Sequence, residues 1–364
     1  MTDAAPWRFH LQEMPSGRWL DRDLPLMGGT VTTAVNAPAS ISGALSLGYP
    51  ALTSVREWGC AVIAEQEGRP PVFGIVDHVS LDGGQVRVEA GGFTMYPTGI
   101  PWLAADYAGI GVDPLDVVRM VWDEVQSYPG GDLGVTVDSL RSPVRVGTPE
   151  RNVNFTTSAG EDVSFDAGPF RLAWWQTDDV GKTITDLAAS TPFGYAERSA
   201  WDGEDIVHRL ELGYPGIGAR RDGLLFEIGV NVTVVPAVSA SEYASEVLLY
   251  GSGEGRTKIR SDRLTASTGR LRRVHVATEK AFTSRKAATD AARPILAQVS
   301  GAATIDSLTV VDHPMAPAGS FGPGDQIRVQ GDPGWGDLDL WMRITELTVN
   351  CDAGSIELKV EEAV

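Results

Sequence analysis

Short runs of alternating apolar and polar residues, separated by turn sequences, occupy both ends of this chain. Alternation with a period of two is typical of a strand with one buried face, and Gly, Pro and Asp between such runs favour tight turns. The rhythm of the two ends is that of an internal structural repeat, although too few residues are identical to prove a duplication. The sequence predicts one meander with strands at 61–64, 72–79 and 86–89, and a second with strands at 326–329, 340–349 and 356–360.

Three segments have the apolar spacing of an amphipathic helix. The clearest is 113–127, where Asp113 can cap the first turn and a proline occupies the first helical position. The other two are 180–189 and 284–299, and the latter carries a face of small alanines that favours close packing on a sheet. The polar span 147–168 is interpreted as a loop or an edge hairpin.

The region 204–299 combines strands, a polar excursion and a helix. We interpret 206–212 and 224–235 as a strand pair, 269–277 as a basic strand, and 284–299 as the helix. Strands that enclose a helix predict a small closed sheet with one helix against it. For the whole chain the predicted fold class is mainly β with a few helices (α+β), and multi-domain, because 364 residues exceed one ordinary core.

The composition is that of a folded acidic protein, with 43% hydrophobic residues and a formal net charge of −18. Phosphate contacts need clustered Lys and Arg, so this balance argues against a nucleic-acid-binding surface over the whole protein. The first residues lack the pattern of a signal peptide, and no run approaches the roughly 18 apolar residues of a membrane span. Cys60 and Cys351 lie far apart and are predicted to be free thiols made in a reducing compartment.

The glycine-rich segment 251–255 has some likeness to a phosphate-binding loop. A P-loop ends in Gly-Lys-Ser/Thr and leads into a helix, whereas Arg256 and Lys258 lead into strand-like sequence. We therefore interpret the segment as a surface or interface loop. The five histidines are scattered and neither cysteine lies in a nucleophile motif. The sequence accordingly predicts no catalytic residue, no cofactor and no metal site.

Carboxylates cluster in sequence around Trp201, which we expect to be exposed. Carboxylates beside an exposed tryptophan are found in sugar-binding clefts, so a cell-wall glycoside hydrolase and a host-carbohydrate-binding protein stay open as alternatives. A plain turn at 201–203 between two strands is the favoured interpretation. The carboxylates are Glu197, Asp202, Glu204 and Asp205.

A basic run stands out in this acidic chain. No aromatic residue interrupts it between 257 and 281, which disfavours binding of single-stranded nucleic acid. We hypothesise that the run is complementary to an acidic surface, either on another domain or on a neighbouring copy. Its members are Arg256, Lys258, Arg260, Arg263, Arg270, Arg272 and Arg273.

Several sequence blocks, taken in order, resemble the minor tail proteins of long-tailed phages that infect Actinobacteria, a group related to baseplate hub or tail-associated proteins. The resemblance covers nearly the whole chain, and the order and spacing of the blocks carry it. The blocks are WLDRDLPL (19–26), DPLDVVR (113–119), YPGGDLGV (128–135), LGYP (212–215), GARR (218–221), GVNV (229–232), GSGEG (251–255) and RLRRV (270–274).

The resemblance implies a homotrimeric hub at the tail tip, built from two tube-like β-barrel or β-sandwich modules per chain with helices packed on them. The tube-like domains would be 1–108 and 204–364, and an accessory α+β domain would be 109–203. Three copies of two such modules make a pseudo-sixfold ring that can dock on a hexameric ring of distal tail or tail-tube protein. DNA would pass through the channel during ejection, and an acidic lining would repel it.

The same resemblance implies a virion protein, made in the host cytoplasm, without enzymatic activity, specific nucleic-acid binding or a transmembrane segment. Its further partners would be the tape measure protein and other minor tail proteins. The residues that we assign to an assembly interface are Gly251, Gly253, Gly255, Arg256, Arg260, Arg272 and Arg273.

Overall fold

The protein is mainly β with a few helices, as predicted. The computed structural model describes residues 5–156, 162–234, 238–239, 243–253, 255–267, 269–279, 282, 284–300, 304–334 and 337–363. These residues contain twenty-four β-strands and three α-helices. The chain forms two compact units, unit 1 (Met1–Pro149, Gly168–Val235 and Ser307–Val360) and unit 2 (Glu150–Ala167, Pro236–Asp306 and Glu361–Val364).

The largest sheet has twelve strands. They are β1 (Arg8–Glu13), β2 (Trp19–Asp21), β3 (Met27–Ala34), β4 (Ser40–Ser46), β5 (Cys60–Glu65), β6 (Val72–Asp82), β7 (Gln85–Gly91), β15 (Arg220–Glu227), β21 (Ser307–Val310), β22 (Gln326–Gly331), β23 (Leu338–Asn350) and β24 (Ile356–Glu362). Their order is β15-β22-β23-β3-β4-β7-β6-β5-β1-β2, with β24 paired to β23 and β21 paired to β24. The edge strands β2 and β15 do not pair with each other, so within the described residues the sheet is open and the predicted barrel form is wrong.

Both predicted meanders are present in this sheet. β5, β6 and β7 pair in sequence order, and so do β22, β23 and β24. The two meanders are joined because β3 pairs with β23 in antiparallel fashion, with Thr32 opposite Thr348. The hydroxyl groups of this pair are 3.0 Å apart. The C-terminal strands therefore extend the N-terminal sheet.

Both long helices of unit 1 pack on one face of the sheet. Trp122 and Leu115 of the first helix are fully buried, and the Trp122 ring packs edge-on against Phe93 at 5.8 Å. Ala61 and Ile63 of β5 belong to the same core. The elements that complete this part are α1 (Pro114–Gln126), α2 (Val180–Ser190), β8 (Tyr107–Gly109) paired with β12 (Phe170–Leu172), and β14 (Asp205–Gly213) between β13 (Gly194–Asp202) and β9 (Val135–Val137).

The predicted strand pair 206–212 and 224–235 is wrong. β14 pairs with β13 over its full length and with β9, whereas β15 runs parallel to β22 in the large sheet. β14 thus pairs mainly with the strand before it, and β15 pairs with a strand far along the chain; periodicity alone cannot show either choice of partner.

Unit 2 contains smaller sheets and the third helix. The predicted span 147–168 holds a hairpin, and the predicted helix 284–299 is confirmed within one residue at each end. The predicted closed sheet is wrong, because the described strands beside the helix form an open three-stranded sheet. The elements are β10 (Arg151–Thr156) with β11 (Asp162–Ala167), β16 (Val238–Ser239) with β20 (Thr304–Ile305), β17 (Glu246–Tyr250) between β18 (Leu264–Thr265) and β19 (Val274–Thr278), and α3 (Arg285–Ser300).

The two compact units interleave along the chain. Unit 1 takes in all three predicted ranges, 1–108, 109–203 and 204–364, in part, since β15 and β22 to β24 join a sheet that begins at β1. The three consecutive ranges stay a prediction about assembly modules. Cys60 and Cys351 are free thiols, as predicted.

Asp113 caps α1 and also binds the loop that contains Ser142. It is 6% exposed, and its carboxylate accepts hydrogen bonds from Leu115 N at 3.0 Å and from Ser142 N and Oγ at 2.8 and 2.9 Å. Burial alone would raise the pKa of Asp113, but these hydrogen bonds outweigh it and leave the pKa lowered.

We expect Asp113→Ala to lower the free energy of unfolding by about 2 kcal/mol, because three donors lose their acceptor. Asp116→Ala, which removes a carboxylate paired with Arg119 at the edge of the same helix turn, should cost less than about 1 kcal/mol. Urea unfolding followed by circular dichroism measures both. Equal losses in the two variants would contradict the capping role.

Candidate functional site

The basic run lies in unit 2, where β17, β18 and β19 form a sheet covered on one face by α3. Val247 and Leu249 of β17 pack against Ala288 and Ala292 of the helix, and all four are buried. The predicted close packing of the alanine face is therefore confirmed. Because side chains alternate along a strand, Glu246, Leu248 and Tyr250 point to the other face. This second face carries the charged residues.

Glu246 is a buried anchor for two of the cations. It is 1% exposed, yet Arg272 donates to its two carboxylate oxygens at 2.7 and 3.1 Å, and Arg263 Nε lies 3.2 Å from one of them. The hydrogen bonds from Arg272 are the main reason that the pKa of Glu246 is lowered. Arg263 and Arg272 thus neutralise a carboxylate of their own unit, which the sequence did not indicate.

Two of the remaining cations, Arg270 and Arg273, lie beside exposed apolar residues. Leu271 is 89% exposed and Val276 is 55% exposed, and Val274 lies between them on β19. Arg270 and Arg273 are exposed beside them and line the same shallow groove as Leu271 and Val274. We call Arg270, Leu271, Arg273, Val274 and Val276 the basic face.

The glycine-rich loop divides into a buried and an exposed part. Gly251 is buried, and a Cβ there would lie 2.2 Å from the Phe282 carbonyl oxygen, so only glycine fits. Gly253 and Gly255 are exposed and have positive φ angles of 93° and 53°. Glu254 lies outside the described residues.

Two predicted interface cations follow this loop. Arg256 belongs to a single 3₁₀ turn, Gly255–Thr257, and Arg260 lies three residues after the end of that turn; both residues are exposed. The turn is not continued as a helix, so the loop lacks the helix N-terminus that a phosphate loop uses. The assignment of these residues to an assembly interface stays a prediction.

The expectation that Trp201 is exposed is wrong. Its indole Nε1 donates to Glu65 Oε2 at 3.0 Å, and its ring lies 5.7 Å from both His10 and Trp19. The predicted turn is confirmed, because β13 and β14 are joined by Gly203 and Glu204 alone. Glu204 points to solvent with 91% of its side chain exposed.

Glu197 lies earlier on β13 than Trp201 and is bound by hydrogen-bond donors of its own. Its carboxylate accepts hydrogen bonds from Thr94 N and Oγ1, both at 2.6 Å, and from Ala39 N at 3.2 Å. Burial raises its pKa to about 7, although these hydrogen bonds pull in the other direction. Glu197 thus has partners of its own, whereas Asp202, Glu204 and Asp205 lie together at the exposed turn, and this arrangement does not favour a glycosidase pair that includes Glu197.

His208 lies on β14 in the same hairpin as Glu197. Its ring packs 4.2 Å from Phe73, and its Nδ1 atom lies 3.0 Å from Ser199 Oγ. Burial lowers its pKa to about 4. Glu197 and His208 therefore make opposite contributions to the pH dependence of stability.

One variant separates the contributions of Glu197 and His208 to the pH dependence of stability. The pKa of Glu197 is about 7 in the folded protein against 4.5 ordinarily, so its stabilisation is complete below pH 4.5 and is lost as the pH rises towards 7. The His208 contribution is present above pH 6.5 and is lost as the pH falls towards 4. As the pH rises from 5 to 8, the free energy of unfolding of Glu197→Gln should fall by less than that of the wild type. The difference between the two changes should reach about 3 kcal/mol.

Urea unfolding at a series of pH values measures this difference. Glu211→Gln on the neighbouring strand is the matched control, because Glu211 is paired with Arg198 near the surface. Parallel pH curves for Glu197→Gln and the wild type would show that Glu197 does not titrate in this range.

Arg272 and Arg273 are neighbours with different roles, which gives a second prediction. Arg272→Ala leaves Glu246 buried with fewer donors, so we expect the melting temperature to fall by a few degrees and the β17 amides to exchange faster. Arg273→Ala keeps the backbone bonds of Arg273 to Ser245 and should change neither. Thermal unfolding and hydrogen exchange test the pair, and equal effects would contradict the anchor role of Glu246.

The residues that the structure describes show neither a metal-ligand group nor a membrane-spanning helix. No group of three His, Cys, Asp or Glu residues among them is arranged to hold a metal ion. None of their helices combines the length and the apolar composition of a membrane span.

Solved structures match this chain over nearly its full length, whereas no protein-family model and no curated protein sequence matches it. The 43 kDa tail protein of prophage MuSo2 from Shewanella oneidensis has a TM-score of 0.57 at 14% identity, covering 97% of both chains. Prophage tail protein gp18 from Listeria monocytogenes has a TM-score of 0.54 at 10% identity, covering 98% of this chain and 95% of that one. The tail protein from Neisseria meningitidis has a TM-score of 0.53 at 12% identity, with 98% and 97% covered. This chain therefore shares the fold of these three tail proteins.

Proposed function

We propose that this protein is a structural subunit of a phage tail, acting as the hub that joins the tail tube to the tip. The observation that carries the proposal is the fold, which is shared along 97–98% of this chain with two prophage tail proteins and a third tail protein. The minor-tail-protein resemblance of the sequence blocks agrees with it.

The hub is a homotrimer in this proposal. Each copy contributes its two meanders, so three copies place six similar meanders opposite a hexameric tail-tube or distal tail ring. The tape measure protein and other minor tail proteins are its further partners, and DNA leaves the virion through its centre. An acidic chain with a net charge of −18 suits that passage, because like charges repel.

A structural role also fits the state of the residues considered for catalysis. The Trp201 indole donates a hydrogen bond to Glu65, and Glu197 accepts hydrogen bonds from Thr94 and Ala39. Trp201 and Glu65 line a groove with Glu67, but the indole and Glu65 are bound to each other, and Glu197 lines a different cavity with Glu211 and Asp325. The full-length likeness to tail proteins therefore favours the structural role over the glycosidase and carbohydrate-binding alternatives.

Light-scattering mass on purified protein tests the proposal. We expect three times the 38.8 kDa mass of one chain, at micromolar concentration or when the tail-tube partner is added. Arg256→Glu combined with Arg260→Glu should weaken assembly, because both exposed cations lie in the predicted interface. The matched control is Arg87→Glu, an exposed cation that pairs with Asp82 in unit 1.

A stable monomer at high concentration that also fails to bind tail-tube protein would contradict the hub. An unchanged mass in the Arg256 and Arg260 variant would remove these two residues from the interface while leaving the hub in place.

A further inference from the structure

Unit 1 exposes large apolar side chains on a rigid turn. Trp174 is 68% exposed and Trp175 is 58% exposed. The turn is braced because Thr177 N and Gln176 N both donate to Ala173 O, at 2.8 and 2.9 Å. Large exposed aromatic residues on a fixed backbone are typical of protein interfaces, since little conformational entropy is lost when they become buried.

Acidic residues lie beside this turn. Trp102 N donates to Thr177 O at 2.9 Å, and β12 pairs with β8, so the turn adjoins residues 102–107. Asp106 in that segment lines a groove together with Asp123 of α1. Both carboxylates are exposed, and neither has an ion-pair partner among the residues that the structure describes.

Leu103 adds a further apolar group, at 57% exposure. We call Leu103, Asp106, Asp123, Trp174 and Trp175 the acidic face. It combines uncompensated carboxylates with exposed apolar side chains on unit 1.

The basic face of unit 2 has the complementary composition. It combines exposed Leu271 and Val276 with Arg270 and Arg273. The segment 236–306 holds eleven Lys or Arg against seven Asp or Glu, whereas the whole chain has a net charge of −18. The two signs of charge are thus separated along one chain, and each accompanies an exposed apolar patch.

We propose that the basic face of one copy docks on the acidic face of the next copy. This inference rests on the proposed hub and names its subunit contact. Two different patches on every copy make a head-to-tail contact, which closes into a ring when the rotation between copies allows it. Opposite charges at the rim select the pairing, and burial of the tryptophans and of Leu271 supplies the main stabilisation.

A second copy fits the basic face better than nucleic acid does. Nucleic acid would be recognised by several aromatic side chains interleaved with the cations, whereas here Arg270 lies 5.0 Å from the ring of Tyr243 and the exposed apolar side chains are Leu271, Val274 and Val276. The apolar residues instead match the exposed tryptophans and Leu103 of the acidic face.

Charge exchange tests the contact directly. Arg270→Glu with Arg273→Glu, and separately Asp106→Arg with Asp123→Arg, should each raise the dissociation constant of the assembly about 10- to 100-fold. An equimolar mixture of the two variants should recover assembly in part, and the quadruple variant, with both faces reversed in one chain, should recover it fully. Light scattering and sedimentation velocity measure the masses, and circular dichroism confirms that each variant is folded.

Two further variants complete the design. Trp174→Ser with Trp175→Ser changes no charge and should also weaken assembly, because the tryptophans lie on the surface and their loss leaves the fold intact. Asp352→Arg, on an exposed turn of unit 1, is the control and should leave the mass unchanged.

Each outcome decides the proposal. Unchanged masses in both charge reversals of an assembling wild type would overturn the contact and leave the hub standing. Loss of assembly in both reversals without recovery in the quadruple variant would overturn the pairing of these two faces. A wild-type protein that stays monomeric beside its tail-tube partner would overturn the hub and the contact together.

Discussion

The antiparallel pairing of β3 with β23 is the constraint on which unit 1 depends. It joins residues near position 30 to residues near position 350, so more than 300 residues lie between its two strands. Without it β3 would be an edge strand with one unpaired side, and β22, β23 and β24 would not be joined to the N-terminal sheet. The C-terminal meander is thus a continuation of the N-terminal sheet, and the two ends of the chain fold as one unit.

Local features of the fold could be predicted from the sequence. The first helix was visible because Asp113 can cap it and its apolar residues recur at helical spacing, and the hairpin turn at Gly203 was visible from its turn residues. β3 was missed because its sequence, MGGTVTTA, has two glycines and little apolar alternation. The parallel pairing of β15 with β22 was missed because strand partners distant in sequence leave no periodic signal.

The candidate site could likewise be predicted from the sequence only in part. The arginines from 256 to 273 stand out in an acidic sequence, but their separation into two classes depends on Glu246. Its place on β17 turns a carboxylate away from α3 and under Arg272, which only the register of the sheet reveals. Trp201 was wrongly predicted to be exposed, because its partner Glu65 comes from a strand more than 130 residues earlier.

The charged residues discussed above fall into two groups, those that bind a partner inside their own unit and those that lie at the surface beside apolar side chains. Arg263 and Arg272 hold a buried carboxylate inside unit 2, whereas Arg270 and Arg273 stay at the surface beside apolar side chains. The tethers of Glu197 and Asp113 are likewise internal to unit 1. Arg270 and Arg273 are the cations that the proposed subunit contact uses.

Electron microscopy of the purified assembly tests the central claim most directly. Class averages viewed along the symmetry axis should show three subunits around a central opening, with six similar lobes where the meanders lie. Single separate particles, or pairs related by a twofold axis, would contradict the account of this protein as a ring-forming tail hub.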